Sequence, residues 1–519
     1  MVLFRQALPR YSGQYSVSTL DLELAVPPPP AVGRSFSPAT LKASGKPALE
    51  LDTVLATVFY PANPHPTSSS ARQPWLQRPV GQTGEGYARF LNFSKPWVLK
   101  ALFWLVGARI RLPVAQNSPL ADHLASSSSS ASADTLVDSP DSASFPLVVF
   151  SHGLSGTRTT YSHWCGEIAS RGYIVAAIEH RDGSGPVSVV RLDGGDERVV
   201  DYLRPEEHLS WPTGTHPQTS LEFRSSAQLP FRLAEVSALA HHLRRLNAGE
   251  GAAVARENRR VADREKDELG KRLERWKGRV GLDGEMVMAG HSFGGATTIQ
   301  VLRAGNSAFP FVRGIALDPW ADPIPPAPSP SHRRRSSSTS LAQLVEAAES
   351  PSTAEADPDP AATASSRDGA KGGKVPLDIK VPLLVINSES FTLWKAHYKL
   401  VRDIVTSVGG GAERYLLTLV GSIHTSFSDL PLLLSSLPLV PSSLARRTGA
   451  RVDPLVGLGA VVDACSEFLG GEGRTGAVLG REVDQGDGEE KGEDGKTRLV
   501  GEPGSWRVHV ASEGKKKTL

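Results

Sequence analysis

Two periods run through the apolar positions of this chain, and together they predict most of its elements. Alternation of apolar and polar residues marks Tyr15 to Leu24 and Leu51 to Tyr60. That pattern suits half-buried strands, expected here as an antiparallel edge beside a parallel core. Unbroken apolar runs mark Pro146 to Ser151, Tyr173 to Ile178, Met286 to Ala289, Phe311 to Leu317, Val381 to Ile386 and Arg414 to Val420. Runs this short, bounded by turn residues or charge, predict strands buried on both faces. Helical spacing appears in Leu233, Val236, Leu239, Ala240, Leu243 and Leu246, which would place one apolar face of a helix against the sheet. A further helix is expected to stop at Gly172. Strands that alternate with helices predict the α/β class, here a mostly parallel central sheet flanked by helices.

Elsewhere the pattern breaks down. Residues 115–144 are Ser/Ala/Asp-rich, residues 323–375 are Pro/Ser/Ala-rich, and residues 249–277 are dense in alternating charge. The expectation is a single domain over 1–469 with insertions at those three places, disordered at 115–144 and 323–375 and projecting from the body at 249–277, followed by a charged disordered tail over 470–519. Residues 87–113 are different again. They carry Tyr87, Phe90, Phe93, Trp97, Phe103 and Trp104 among Lys95, Lys100, Arg109 and Arg111. Two readings are open: a helix lying on a lipid surface, or a core helix covering the sheet.

Composition narrows the field. A hydrophobic share of 39% spread over 519 residues, with Gly 49 and Pro 39 largely outside the apolar runs, favours one large domain over several. A net charge of +2 gives no reason to invoke nucleic acid. Cys165 and Cys465 cannot make a disulfide framework and read as small buried hydrophobes. The first residues lack a secretory h-region and a glycine at position 2, and no apolar run is long enough to span a bilayer. The expected location is cytoplasmic, with a peripheral membrane position left open.

The chemistry concentrates at Gly290-His291-Ser292-Phe293-Gly294, directly after the run Met286 to Ala289. A G-x-S-x-G sequence between a strand and a helix is the nucleophile elbow, in which the serine sits at the apex of a sharp turn and glycines let strand and helix approach. Ser292 is the candidate nucleophile. The turn His152-Gly153-Leu154 follows an early central strand, where such hydrolases place one backbone N–H of the oxyanion hole; the residue after the nucleophile supplies the other. The candidate amides are Leu154 and Phe293, and His152 is expected to order its turn. A serine hydroxyl needs an imidazole to take its proton and a carboxylate to orient that imidazole. His424, on the loop after the last core strand, is the natural base, ahead of His291 and His397. Two acids remain open on position alone, Asp318 and Glu389, each at the end of a strand. The polar loop Glu179 to Gly185 could bind a ligand or hold an internal ion-pair network.

Several blocks resemble the plasma and type II intracellular platelet-activating-factor acetylhydrolases, calcium-independent phospholipases of the A2 type with the α/β-hydrolase fold. They are Ser151-His152-Gly153-Leu154, Arg158-Thr159, Gly172 to Asp182, Gly290 to Thr297, Gly314 to Trp320, Ile386 to Glu389 and Gly421 to His424. The resemblance implies Ser292, Asp318 and His424 as the catalytic residues, with Leu154 and Phe293 as oxyanion amides, and so chooses Asp318 over Glu389. It implies hydrolysis of a short or oxidised sn-2 acyl ester of a glycerophospholipid, with no metal and no cofactor. Against it stand a general short-chain carboxylesterase and a non-catalytic lipid-binding scaffold. The expected partner is the phospholipid substrate, with membrane-surface contact through 87–113 and no nucleic acid.

Overall fold

The apolar runs assemble into one twelve-stranded sheet. In the computed structural model the described residues are 8–27, 36–63, 72–122, 144–305, 309–325, 379–435, 449–470, 476–486, 488–492 and 495–512. Its main strands are β1 (Ser16–Ala25), β2 (Thr53–Ala62), β3 (Arg72–Pro74), β4 (Arg111–Gln116), β5 (Phe145–Ser151), β6 (Ile174–Ile178), β7 (Met286–His291), β8 (Phe311–Leu317), β9 (Leu383–Ser388), β10 (Arg414–Leu419) and β11 (Trp506–Val510). Across the sheet the order is β11-β10-β9-β8-β7-β5-β6-β2-β1-β4-β3, with Val280–Gly281 paired to β5. The six strands from β10 to β6 run parallel, whereas β11, β2, β1 and β3 lie antiparallel to the strand inside them.

The helices are α1 (Val80–Phe90), α2 (Pro96–Leu105), α3 (Ser162–Ala169), α4 (Leu229–Ala248), α5 (Gly251–Glu257), α6 (Asp263–Glu274), α7 (Phe293–Ala304), α8 (Lys395–Thr406) and α9 (Pro454–Phe468). Side chains alternate across a strand, so each parallel strand feeds two cores. On β5, Leu147 and Val149 join the core under α4, α7 and α8, while Val148 and Phe150 join the one under α3 and α9. The helical stripe from Leu233 to Leu246 is buried as its spacing predicted. Cys165 on α3 and Cys465 on α9 form no disulfide and are buried in the same apolar cluster.

Three expectations are corrected. The pair β1–β2 is not the edge of the sheet, because β4 pairs parallel to β1 and β3 closes that side. Residues 249–277 do not project: Val254, Ala255, Leu269, Leu273 and Trp276 enter the main core, with the Trp276 ring 4.9 Å from that of Tyr60. Leu269, Leu273 and Trp276 stand at i, i+4 and i+7, an apolar stripe hidden in the sequence by the charge on the other faces. Part of the 470–519 tail is ordered sheet. Trp506–Val510 pairs antiparallel with β10 and covers an edge that would otherwise present unpaired backbone groups. Of the two readings open for 87–113, the core helix does not hold for α2: none of its residues is buried, and Trp97 and Trp104 are 68% and 65% exposed. It lies on α1 instead, with Phe103 and Tyr87 rings 5.1 Å apart. Residues 115–122 continue into the core through Leu120 and Ala121, whereas 123–143 and 326–378 lie outside the described residues. Among the described residues no helix is long and apolar enough to cross a membrane.

Candidate active site

The parallel strands all deliver their carboxyl ends to one rim, and the predicted site residues stand there. Only Ser292 separates β7 from α7, and it holds φ 57° and ψ −119°. A side chain in that region costs about 1–3 kcal/mol and persists only where its surroundings hold it. Here the Ser292 N–H donates to Leu317 O at 3.0 Å, and its carbonyl accepts from the Trp320 N–H at 2.9 Å. The elbow glycines answer to close approach. A Cβ on Gly290 would lie 2.3 Å from Gly294 O, and one on Gly294 would lie 1.9 Å from Ser151 O.

Asp318, at the end of β8, is fully buried and also takes a positive φ, 42°. Its Oδ1 accepts the Ser388 N–H at 2.7 Å, and its Oδ2 accepts the Ser388 hydroxyl at 2.7 Å. The same Oδ2 lies 2.7 Å from His424 Nδ1, and His424 Nε2 lies 2.8 Å from Ser292 Oγ. Phe391 stacks on the imidazole with centroids 4.3 Å apart and planes within 9°. Ser292, Asp318 and His424 thus form one hydrogen-bonded chain. Glu389 stands outside it: its carboxylate accepts the Gly421 N–H at 2.6 Å and pairs with Arg451 at 2.8 Å, anchoring the loop that carries His424.

Among the described residues, neither candidate oxyanion amide is engaged by a backbone acceptor. Phe293 opens α7, so its N–H has no intrahelical acceptor, and the Leu154 N–H meets no acceptor among the described residues. The turn between them rests on Ser292, since a Cβ on Gly153 would lie 2.7 Å from Ser292 Cβ. His152 orders that turn. Its Nε2 accepts the His180 N–H at 3.0 Å, so the proton is on Nδ1, which donates to Gly153 O at 2.8 Å. Burial pushes His152 down to about 3, with the Arg232 cation adding to the effect, so the ring is neutral.

The loop Glu179 to Gly185 is the internal network, not an open ligand site. Arg181 pairs with Glu23 at 2.6 Å, Arg232 with Asp182 at 2.7 Å, and Arg158 with Glu179 at 3.5 Å, all buried at the cation. It contains a second Ser–His–acid chain, in which Ser151 Oγ lies 2.7 Å from His180 Nε2 and His180 Nδ1 meets Glu235. That chain is sealed from solvent, and burial raises Glu235 well above the usual carboxylate range and lowers His180 well below its own. Access, more than residue type, separates the two arrangements.

His291, Asp318 and His424 bring ligand atoms within 4.8 Å of one another, close enough to suggest a cation. Their lone pairs are already engaged. His291 Nε2 donates to His424 O at 2.9 Å and its Nδ1 accepts from the Tyr161 hydroxyl at 2.8 Å, while both nitrogens of His424 serve Asp318 and Ser292. His397 is occupied elsewhere, its Nε2 accepting the Ala321 N–H at 3.1 Å. Sequence reasoning missed Ser388, Phe391, Tyr161 and Arg232. Ser388 alone had a local signal, because it caps the short helix Glu389–Leu393 by accepting the Phe391 N–H.

A family model described as platelet-activating factor acetylhydrolase, isoform II, matches residues 3–334 and 374–497. The chain belongs to this family. Among curated proteins it is 26% identical over 344 residues to the platelet-activating factor acetylhydrolase of Canis lupus familiaris, covering 66% of this chain and 57% of the relative. It is 28% identical over 289 residues to that of Bos taurus, covering 55% and 48%. This chain therefore spans about half the length of those relatives. Among solved structures, a ferulic acid esterase from Streptomyces cinnamoneus superposes with a TM-score of 0.50 at 16% identity, covering 92% of this chain and 97% of the other. That likeness is one of fold, the α/β-hydrolase fold that the family resemblance implied.

Proposed function

We propose that this member of the platelet-activating factor acetylhydrolase family is a serine esterase of phospholipase A2 type. Its substrate would be a glycerophospholipid with a short or oxidised sn-2 acyl chain, such as 1-alkyl-2-acetylglycerophosphocholine. The observation that carries the reading is the continuous chain from Ser292 Oγ to His424 Nε2 at 2.8 Å and from His424 Nδ1 to Asp318 Oδ2 at 2.7 Å, beside two unengaged amides.

In this mechanism His424 Nε2 takes the Ser292 hydroxyl proton as Oγ attacks the sn-2 carbonyl. The imidazolium is held by Asp318, and the carbonyl oxygen becomes an oxyanion between the Leu154 and Phe293 N–H groups. Collapse expels the glyceryl oxygen, which receives the proton from His424, and leaves an acyl-Ser292 ester with a lysophospholipid product. Water, deprotonated by the same nitrogen, then cleaves the ester to a carboxylic acid and restores Ser292. Main-chain amides stabilise the oxyanion, so none of these steps calls on a metal.

A substrate held in a lipid layer calls for docking. The exposed Trp97, Leu102, Trp104 and Leu105 of α2, with Leu91 and Phe93 beside them, form an apolar face among Lys95, Lys100 and Arg109. A Cβ on Gly86 of α1 would lie 2.1 Å from Pro186 O, so the helix pair is seated on the loop beside the site. We assign this face to contact with the lipid surface.

The test is fluorophosphonate labelling of the full chain beside Ser292→Ala, followed by turnover of sn-2 acetyl and sn-2 long-chain phospholipids. Labelling that vanishes with Ser292 and turnover confined to short or oxidised chains are expected. Labelling or turnover that survives in Ser292→Ala overturns the mechanism. Equal turnover of a soluble acetyl ester and neglect of phospholipid would make the protein a general carboxylesterase.

A further inference from the structure

Arg232 is fully buried on α4, yet it reaches both sides of the turn that would hold the oxyanion. Its Nη1 donates to His152 O at 2.8 Å, with Ser151 Oγ and Thr297 Oγ1 further off at 3.4 Å. Its Nη2 donates to Ser184 Oγ at 2.6 Å, and Ser184 O accepts the Ser155 N–H at 2.8 Å. Its guanidinium carbon lies 4.2 Å from the centroid of the Phe293 ring. One side chain therefore touches the residue before the turn, the serine that braces the far side of the turn, and the side chain whose own amide is the second oxyanion donor.

Peptide geometry converts these contacts into a direction. In a trans peptide the C=O and the following N–H point opposite ways, so holding one aims the other. The His152–Gly153 peptide is held at both ends, the carbonyl by Arg232 and the N–H by the Tyr161 hydroxyl at 3.3 Å. In the next peptide, Gly153 O accepts from His152 Nδ1–H at 2.8 Å and from the Gly156 N–H at 3.1 Å. The Leu154 N–H of that peptide therefore points away from both donors, and it meets no acceptor among the described residues. At the other donor, the guanidinium lies against the Phe293 ring, a cation–π contact that is strong where water is excluded. Asp182 neutralises the charge through Nε at 2.7 Å, so the cation can stay in the core.

We infer that Arg232 is a positioning residue for hydrolysis, a buried guanidinium that clamps the two oxyanion amides, Leu154 and Phe293, into one preorganised pair. The inference rests on the proposed ester hydrolysis. A group that acts through the oxyanion amides works mainly in the transition state, so its loss should fall on kcat and leave KM largely alone.

The experiment compares wild type, Arg232→Lys and the double variant Arg232→Met with Asp182→Asn, with kcat expressed per site titrated by a fluorophosphonate. Lysine keeps the charge and loses the fork and the planar stack. The double variant removes the buried pair together, so no uncompensated carboxylate is left to unfold the core. Expected for both are a fall in kcat of about tenfold or more, a KM within about threefold of wild type, and a loss of affinity for a trifluoromethyl ketone transition-state analogue in proportion to kcat/KM. A per-site kcat equal to wild type in whichever variant folds overturns the clamp, as does a loss confined to KM. Wild-type protein that neither labels nor turns over ester would instead overturn the proposed function, and the clamp with it. A labelled, active wild type with unaffected variants sinks the clamp alone.

Discussion

At the scale of single residues, the distinction that matters is between Asp318 and Glu389, which end neighbouring strand segments and looked equivalent by position. Asp318 meets His424 Nδ1 at 2.7 Å, whereas Glu389 holds Arg451 and the Gly421 N–H. Their substitutions should therefore fail differently. Asp318→Asn is expected to lower kcat by about 10³- to 10⁴-fold, because the amide cannot hold the imidazole in the tautomer that accepts the serine proton. Glu389→Gln should cost less than about tenfold in kcat and act mainly by lowering the unfolding temperature, since it weakens a largely buried pair that anchors the His424 loop. Steady-state kinetics beside calorimetry separates the two, and a larger kcat loss in Glu389→Gln would reverse the assignment of the acid.

Among the elements, α2 behaves unlike the other helices of the described residues. Amphipathic helices normally turn their apolar face inward, but α2 buries none of its residues and leaves two tryptophans in solvent. The sequence of 87–113 contains nothing to say which neighbour its apolar residues would find, because an apolar helix looks the same whether it covers a sheet or a membrane. If the lipid-surface assignment holds, Trp97→Ser with Trp104→Ser should reduce binding to phosphatidylcholine vesicles by about tenfold or more while turnover of a soluble acetyl ester stays within about twofold. Vesicle flotation and a chromogenic ester assay read the two effects. Undiminished vesicle binding would assign the face to something other than lipid. The opposite lesson comes from α6 and β11. Charge dominates the sequence of α6 and the tail around β11, yet Leu269, Leu273 and Val508 are buried, because a few apolar residues in register are enough to dock an element whose other faces stay wet.

For the molecule as a whole, the buried histidines set a pH limit. His152 lies at about 3 and His242, whose Nε2 meets Ala25 O at 2.9 Å, at about 4, both because burial penalises the charged ring. In the unfolded chain both titrate near 6.5. Between about 6.5 and 4 the unfolded state binds more protons than the folded one, so stability is full above that window and falls as the pH drops through it. Each histidine contributes a slope of up to about 1.4 kcal/mol per pH unit there. Urea unfolding at pH 7.0, 6.0 and 5.0 should show a falling midpoint, and His242→Gln should flatten part of the fall. A midpoint constant across that range would mean that the rings are protonated in the folded protein.

The sequence by itself determined the core strands, the elbow, the turn at His152 and the position of His424, because each depends on local periodicity or on a spacing the backbone cannot meet otherwise. Gly290 and Gly294 are examples: the passages of 2.3 and 1.9 Å beside them admit no larger residue, and a pattern that strict is visible in one dimension. Position along the chain left two carboxylates open until the family resemblance chose Asp318, and only the tertiary structure showed how that carboxylate meets His424, why the Glu179 to Gly185 loop is closed, and how Arg232, far from Phe293 in the chain, comes to lie on its ring. Those depend on which side of a strand end a carboxylate leaves and on what α4 brings across from the other end of its connection. Such contacts join residues distant along the chain, and no local pattern encodes them.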